Sequence, residues 1–255
     1  MESKQHRIVV IDEEFPSPLD SGKRIRSYNL LSRLASRCQL HYLAFGNKAS
    51  EAFAQFVRDG MNPIAVEAPR PSLFGPLFYA RLLRNLFSSD PYIVARHRSQ
   101  RFRAELKKAI GHLEPDAILC EWTPYASYFE AATTACKITV AHNIEHTIWQ
   151  RYWEHAGQGP KKWYIAEQAR RVARFEDWAF GASDAAIAVS ESEAGEIARL
   201  NPAIPVEVVE NGVDLEFFQP GESPDAAGST PSLVFVGAMN WRPNQDAMEY
   251  FITSI

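Results

Sequence analysis

Four polar residues that follow one apolar run could take part in chemistry. They are His142, Asn143, Glu145 and His146. An imidazole at a strand end can exchange hydrogen bonds with a sugar hydroxyl or stabilise charge that develops in a transition state. His142 and His146 have the spacing of a zinc pair, but Asn143 stands where the zinc-protease motif requires glutamate, so we expect no metal here. The alternative is a strand-end histidine whose hydrogen bonds are satisfied by the backbone.

A second candidate pair, Glu121 and Trp122, ends another apolar run. The carboxylate could contact a polar acceptor, and the indole ring could stack on the face of a sugar. The alternative is that Trp122 only covers the core, which is the commoner outcome for a lone tryptophan.

The loop after the first apolar run contains Ser21 and Gly22, followed by the basic residues Lys23, Arg24 and Arg26. Free amides in the first turn of a helix can hold an anionic oxygen, and the basic side chains would add positive charge. Only one glycine is present, so the dinucleotide fingerprint G-x-G-x-x-G is missing and a nicotinamide or flavin site is disfavoured. The alternative is that Ser21 is a simple N-cap and Gly22 a tight turn.

Short apolar runs that alternate with longer amphipathic stretches predict the elements that must position these groups. The pattern is typical of an α/β fold with a doubly wound, Rossmann-like parallel sheet, here over about residues 6–215. Ligands bind beyond the carboxyl ends of such strands, so the three groups and the Asn211-Gly212 turn should share one edge. The predicted strands are Ile8–Ile11, Leu40–Phe45, Ile64–Val66, Ala117–Leu119, Ile138–Ala141, Ala185–Val189 and Val206–Val209. The predicted helices are Gly22–Ser36, Glu51–Asp59, Phe74–Phe87, Ser99–Leu113, Pro124–Ala135, Trp163–Phe180 and Ser192–Leu200.

The last part of the chain predicts the start of a second unit. Residues 216–231 have the glycine, serine, proline and aspartate content of a linker. Leu233–Val236 then predicts a new buried strand that ends at Gly237, and a helix begins near Pro243. One strand and one helix cannot bury their apolar faces alone. We therefore expect residues 232–255 to be the first strand and helix of an incomplete domain.

Composition excludes several classes of protein. With 46% hydrophobic residues, the 255-residue chain can fill a core, and a net charge of −4 argues against a general nucleic-acid binder. Three widely spaced cysteines in apolar surroundings predict buried thiols in a reducing cytoplasm rather than disulfides or a zinc site. No run approaches the ~18 apolar residues that cross a bilayer, and the first residues lack the core of a signal peptide. We expect a cytoplasmic protein.

Residues 70–108 are strongly basic within this acidic chain. They hold nine arginine and lysine residues against two acidic ones, with apolar and aromatic residues interleaved. This combination suits peripheral docking on the anionic inner face of a membrane, or holding a phosphorylated acceptor. The alternative is an ordinary amphipathic helix whose arginines are solvated.

Five segments in series resemble glycosyltransferase family 4, and closest to them are the bacterial sugar transferases of exopolysaccharide and exosortase-linked gene clusters. The segments are FPSPLDSGKRIRSYNLLSRLA, AHNIEHTIWQRYW, AAIAVSESEA, VVENGVDLEFFQP and LVFVGAMNWRPNQDAMEYF. The resemblance implies a GT-B fold, in which an amino-terminal acceptor-side domain and a carboxyl-terminal donor-binding domain face each other across a cleft. It also implies retaining transfer from a nucleotide-diphosphate sugar to a lipid-linked or polysaccharide acceptor, without a bound metal or cofactor.

The resemblance also implies roles for residues. His142 would be the catalytic histidine that contacts the donor sugar, and Ser21, Gly22 and Lys23 would form the loop near the donor phosphates. Further implied roles are an interdomain hinge at Asn211 and Gly212 and a donor-domain loop with Gly237, Asn240 and Arg242. Beside the resemblance, the positions of six polar residues near the predicted strand ends suggest acceptor contacts: Arg24, Arg26, Glu121, Trp122, Asn143 and Glu145. The carboxylates that usually grip the donor would come later, so we expect this chain to be incomplete for catalysis. The alternative function is a non-catalytic acceptor- or membrane-binding module.

Overall fold

The computed structural model describes residues 5–69, 72–131, 134–219, 233–239 and 242–255. The chain divides into two compact units, Met1–Asn211 and Gly212–Ile255. Each unit is described by itself.

A sheet of seven parallel strands forms the centre of the first unit. In chain order the strands are β1 (Arg7–Asp12), β2 (Gln39–Phe45), β3 (Pro63–Val66), β4 (Ala117–Cys120), β5 (Cys136–Ala141), β6 (Ala185–Ala188) and β7 (Val206–Val208). Across the sheet their order is β3-β2-β1-β4-β5-β6-β7, and every neighbouring pair is parallel. The seven predicted strands and the Rossmann-like fold class are confirmed.

Most of the predicted helices are also confirmed. The α-helices are α1 (Gly22–Ala35), α2 (Glu51–Arg58), α3 (Pro76–Leu86), α4 (Tyr92–Ala95), α5 (Gln100–Leu113), α6 (Glu145–Glu154), α7 (Pro160–Gly181), α8 (Glu191–Leu200) and α9 (Arg242–Ser254). In the part of the chain that the structure describes, none of the helices combines the length and apolarity needed to cross a bilayer.

Helices cover both faces of the sheet. On one face Leu31 of α1 and Phe56 of α2 pack in one cluster with Val10 of β1. On the other face Phe102 of α5 packs in a second cluster that includes Val9. Since neighbouring strand residues point to opposite faces, Val9 and Val10 serve different layers. Burial on both sides explains why the strands are apolar throughout rather than alternating.

The predicted α-helix over Pro124–Ala135 is wrong. Thr123–Ala131 form a 3-10 helix, in which residues three apart lie on the same side. This geometry brings the rings of Tyr125 and Tyr128 to a centroid distance of 5.7 Å. His97 contacts both of them: its Nδ1 lies 3.0 Å from the Tyr125 hydroxyl, and the Tyr128 hydroxyl donates to its carbonyl oxygen at 2.6 Å. Contacts with so distant a residue leave no trace in local periodicity.

Helices α4 and α6 were not predicted. No side-chain cap precedes α6, whose N-cap residue is Ile144. Glu176 of α7 caps it instead, by accepting hydrogen bonds from the amides of Glu145 at 2.7 Å and His146 at 2.9 Å. A cap supplied from another helix gives no local sequence signal.

In the second unit, residues 212–219, 233–239 and 242–255 are described. Helix α9 confirms the helix predicted near Pro243. The predicted buried strand Leu233–Val236 is not formed, and Val236 is 89% exposed. A strand needs a neighbour for its backbone hydrogen bonds, and no described residue of this unit provides one. The predicted linker, 216–231, lies mostly outside the described residues.

One prediction about the cysteines is also wrong. Cys38 and Cys120 are buried free thiols, as predicted, but Cys136 is exposed. Cys136 is the first residue of β5, at the amino end of the strand, where the sheet begins to be covered.

Candidate functional site

The direction in which the chain crosses the sheet reverses between β1 and β4. The strands after β1 run outward to β3, whereas the strands from β4 onward run to the other edge. In such sheets, ligands bind beyond the carboxyl ends of the strands at this switch point. Asp12 ends β1, Glu121 and Trp122 follow β4, and His142 follows β5. The polar residues predicted from sequence therefore lie where a ligand is expected.

A buried carboxylate holds His142. The imidazole Nε2 lies 3.1 Å from Oε2 of Glu121, which also accepts a 2.5 Å hydrogen bond from the hydroxyl of Ser27 in α1. The side chains of His142 and Glu121 are only 8% and 6% exposed. Cys120 pairs with Thr139 in the sheet, and this register places the residues after β4 and β5 side by side.

The electrostatics of this pair determine which nitrogen of His142 faces a ligand. Burial by itself would raise the pKa of Glu121, but the hydrogen bond and charge of His142, helped by Ser27 and Lys23, outweigh it and hold the pKa below its usual value. Glu121 is thus a carboxylate, which can only accept, so Nε2 of His142 donates. Among the described residues nothing bonds Nδ1, which leaves that nitrogen for a ligand.

The ammonium group of Lys23 is committed to carboxylates of the protein. Nζ lies 2.6 Å from Oδ1 of Asp12 and 3.2 Å from Oε1 of Glu13, and 5.2 Å from the centre of the Trp122 ring. Burial lowers the pKa of Lys23, but the charges of Asp12 and Glu13 raise it by more, so the group stays protonated. The other oxygen of Asp12 accepts a 2.7 Å hydrogen bond from Tyr42. We call Asp12, Lys23, Ser27, Glu121, Trp122, His142 and Glu145 the strand-end site.

The amino end of α1 borders the strand-end site and has open amides. Ser21 is the N-cap of α1, which agrees with the alternative given for this residue, and its hydroxyl accepts from the Arg24 amide. No described residue accepts a hydrogen bond from the amides of Gly22 and Lys23. A Cβ added at Gly22 would meet no atom within 4 Å, so the space beside this turn is open. Such a turn can hold an anionic oxygen.

Arg24 and Arg26, the other basic residues near the amino end of α1, are paired within the protein. Arg24 forms ion pairs with Glu14 and Asp20. Arg26 donates to the carbonyl oxygen of Glu210 at 2.9 Å and to the side-chain oxygen of Asn211 at 3.1 Å, and burial lowers its pKa. Arg26 thereby fixes the segment after β7, where the predicted hinge residue Asn211 lies. Gly212 is the first residue of the second unit, and the hinge stays a prediction.

Trp122 connects the strand-end site to α6. Its indole nitrogen donates to Oε1 of Glu145 at 2.8 Å, and Lys23 lies over its ring, so one ring face is already used. Burial raises the pKa of Glu145. The hydrogen bond from Trp122 lowers that pKa, whereas the negative charge of Glu176 raises it further, so that the pKa lies above its usual value. Asn143 is exposed between these groups. The predicted acceptor contacts at buried Glu121 and at Trp122 and Glu145 stay predictions.

Sequence reasoning missed several residues that hold the site together. Asp12 directly follows a predicted strand, and that position could have signalled it. Ser27 and Tyr42 gave no signal, because each looks like an ordinary member of its helix or strand. Glu176 holds His146 as well as the α6 amides, with Oε2 at 2.7 Å from Nδ1.

The predicted donor-domain residues belong to the second unit. A Cβ at Gly237 would come within 2.8 Å of the Asn244 side chain and the Phe235 ring, so a larger residue there would require these side chains to move. Asn244 in turn donates to the carbonyl oxygen of Ala238 at 3.0 Å. Asn240 and the side chain of Arg242 lie outside the described residues.

Two further observations concern the choice of site. A cavity of about 930 Å³ lies away from the strand-end site, beside β3 and α5, with His41, Lys48, Glu67 and Arg101 in its walls. We favour the strand-end site because buried hydrogen bonds fix its groups at the switch point, which cavity size alone does not provide. Within the described residues, no three His, Cys, Asp or Glu side chains are grouped to hold a metal ion.

The fold and the site define an α/β protein with a Rossmann-like parallel sheet and a polar site at its switch point. The chain belongs to Glycosyltransferase Family 4, whose family model matches residues 22–217. That match runs from α1 to just past β7 and includes the segments that carry Glu121 and His142. The sheet agrees with the amino-terminal domain of the GT-B type. No curated protein gives a significant match to the chain, and the likeness to exopolysaccharide and exosortase-linked transferases stays a prediction.

Proposed function

We propose that this chain takes part in retaining transfer of a sugar from a nucleotide-diphosphate sugar to a lipid-linked or polysaccharide acceptor. The observation that carries the proposal is the buried His142–Glu121 pair at the switch point, inside the family-matched region. Family membership supports the reaction class. The geometry of the pair supports the position of the reacting sugar.

The reaction breaks the bond between the anomeric carbon of the donor and the diphosphate oxygen, and forms a bond from that carbon to the acceptor oxygen. The proton of the acceptor hydroxyl leaves with the diphosphate. We assign His142 to the donor sugar through Nδ1, because Nε2 is used by Glu121. A neutral imidazole accepts from a sugar hydroxyl through Nδ1, and a protonated one donates to an oxygen that gains charge.

We assign the donor phosphates to the open amides of Gly22 and Lys23. The ammonium of Lys23 is held by Asp12 and Glu13, so it serves the diphosphate less directly than the backbone does. Helix amides aimed at a phosphate stabilise its negative charge without titrating. No step of the proposed reaction uses a metal ion or a cofactor.

Exposure refines the proposed acceptor contacts. Glu121 is buried and occupied by Ser27 and His142, so we assign it to positioning. Asn143 is exposed directly after His142 and is better placed to meet an acceptor hydroxyl.

We propose in addition that residues 70–108 contact the anionic inner face of a membrane peripherally, which places the protein in the cytoplasm. Helix α3 exposes Leu77 and Leu83, each 63% exposed, and its flanking residues Phe74 and Phe87 are 83% and 93% exposed. Apolar side chains beside a cluster of arginines match the chemistry of an interfacial helix on anionic lipid. The same surface favours the second candidate function, a non-catalytic acceptor- or membrane-binding module.

A donor screen separates the two candidate functions. The purified protein is incubated with a set of nucleotide-diphosphate sugars and with glycolipid acceptors, and the product is examined by proton NMR. The glycosyltransferase proposal predicts transfer from at least one donor, with the anomeric configuration of the donor kept in the product, whereas a chain that is incomplete for catalysis would transfer from none. Inversion would contradict the retaining chemistry, and binding of acceptor or vesicles without transfer from any donor would favour the non-catalytic module.

A further inference from the structure

A cavity of about 470 Å³ lies at α3, α4 and the segment between them. Four arginines line it: Arg81, Arg84, Arg96 and Arg98. Of the described residues, Asp90 is the single acidic one in its walls. The cavity therefore concentrates positive charge in a chain that is acidic overall.

The four arginines differ in their partners. Arg98 is paired with Asp90 through two contacts, at 3.0 and 3.3 Å, and Arg81 donates to the carbonyl oxygen of Ser72 at 3.4 Å. By contrast, no hydrogen bond or ion pair joins the guanidinium of Arg84 or Arg96 to another described residue. Nε of Arg96 is buried and has no acceptor. Two cations in this cavity therefore have no internal counter-ion.

A buried charged donor without a partner is costly, and native structures seldom keep one without a reason. An acceptor oxygen brought by a ligand would remove that cost. The planar guanidinium fork matches the oxygens of a phosphate, and several arginines together favour a multiply charged anion over a carboxylate.

The walls of the cavity are fixed from outside by α7. Arg171 donates to the carbonyl oxygens of Asn85 at 2.6 Å and Leu86 at 3.0 Å, which anchors the carboxyl end of α3. Gln168 donates to the side-chain oxygen of Asn85 at 3.1 Å, while the Asn85 amide donates to the carbonyl oxygen of Asp90 at 3.0 Å. These buried bonds fix the backbone that carries Arg84, so little backbone order is lost on binding.

We propose that this cavity binds a phosphate group, as a monoester or diphosphate, through the guanidinium groups of Arg84 and Arg96. Arg81 and Arg98 add charge around it. Arg84 lies on the same helix as the exposed Leu77 and Leu83, so a phosphate at the head of a lipid could enter the cavity while its chains meet α3. The inference deepens the proposed membrane contact, and its test requires no sugar transfer, so it can fail or hold independently of the proposed reaction.

The test is titration calorimetry with inorganic pyrophosphate. We expect the wild-type protein to bind it, and the variant Arg84→Gln/Arg96→Gln to lose affinity about tenfold or more, as for lost hydrogen bonds between charged groups. An unchanged affinity in this variant would assign the binding to the amides of Gly22 and Lys23 and would overturn the proposal. The control Arg33→Gln/Arg103→Gln removes two charges outside the cavity and should bind as the wild type does. The single variant Arg84→Gln, at an exposed position, should lose affinity without any effect on folding.

A second arm identifies the source of the phosphate. Flotation measures binding to phosphatidylcholine vesicles with and without phosphatidic acid. Loss of phosphatidic-acid binding in the Arg84→Gln/Arg96→Gln variant would assign the cavity to a lipid headgroup, and retention would assign it to a soluble phosphate compound. If pyrophosphate does not bind to the wild type, or if the control variant loses affinity equally, the proposal is wrong.

Discussion

The strand-end site and the arginine cavity treat their charged groups in opposite ways. In the strand-end site, Glu121 is bonded to His142 and Ser27, and Lys23 is paired with Asp12. In the cavity, Arg84 and Arg96 have no partner among the described residues. Saturated buried groups order a site before any ligand binds, so removing one of them costs stability. Unpaired groups contribute to binding instead, so removing them should leave the free energy of unfolding unchanged or slightly raised.

The largest expected effect concerns Glu176, which supports the strand-end site from α7. Its carboxylate accepts from two α6 amides and contacts His146, and it is 1% exposed. Because Glu176→Ala leaves all of these groups unpaired, we expect the free energy of unfolding in urea to fall by about 3–5 kcal/mol. The control is Glu154→Ala at the exposed end of α6, where we expect a change within about 0.5 kcal/mol. Equal effects would show that the buried hydrogen bonds of Glu176 contribute no more to stability than an exposed carboxylate does.

The next prediction concerns the charge of Glu121. In Glu121→Gln the side chain keeps its shape but loses its charge, so we expect the free energy of unfolding to fall by about 2–3 kcal/mol at neutral pH. The lowered pKa means that the carboxylate stabilises the fold above the usual glutamate value of 4.5, and that this contribution disappears as the pH falls through the lowered pKa. The difference between wild type and variant should therefore shrink in acid.

Urea unfolding at a series of pH values measures this difference. Glu130→Gln is the matched control, because Glu130 pairs with Arg103 at a more exposed place. We expect that control to change little at any pH. A gap between Glu121→Gln and wild type that widens in acid would contradict the depressed pKa.

The smallest expected effect concerns two tyrosines, one at the strand-end site and one in the wall of the arginine cavity. The Tyr42 hydroxyl donates to Asp12 at 2.7 Å, whereas the buried Tyr92 hydroxyl, in the wall of the arginine cavity, has no partner among the described residues. We expect Tyr42→Phe to lower the free energy of unfolding by about 1–2 kcal/mol, and Tyr92→Phe to leave it unchanged or slightly raised. Urea unfolding of both variants checks this. Equal losses would show that the Tyr92 hydroxyl is bonded.

Much of the first unit could be predicted from sequence, because a strand buried on both faces leaves a continuous apolar run. His142 and Glu121 could be found for the same reason, as each follows such a run directly. The partners that give these residues their chemistry could not, since Ser27 and Glu176 approach from helices far along the chain. The 3-10 helix was missed because its turn is set by contacts with His97. Leu233–Val236 was predicted as a strand from local apolarity alone, without a neighbour to pair with.

In the arginine cavity, lined by Arg81, Arg84, Arg96 and Arg98, the charged residues could also be predicted from the sequence, whereas their pairing could not. The excess of basic residues over 70–108 was evident from the sequence, but not which of them lack partners. Which arginines lack partners depends on the ion pair between Asp90 and Arg98, and on the buried hydrogen bonds by which Arg171 fixes α3. Charge counts predict a surface, whereas pairing in three dimensions identifies the residues that remain to bind a ligand.

The most direct test of the proposed reaction is the rate of sugar transfer by His142→Ala at saturating donor. The control is His155→Ala, which removes an exposed histidine at the end of α6. If Nδ1 of His142 meets the donor sugar in the transition state, the rate should fall by about 10²–10³-fold while the control keeps the wild-type rate. Equal transfer rates in His142→Ala and wild type would contradict the assignment of the strand-end site to sugar transfer.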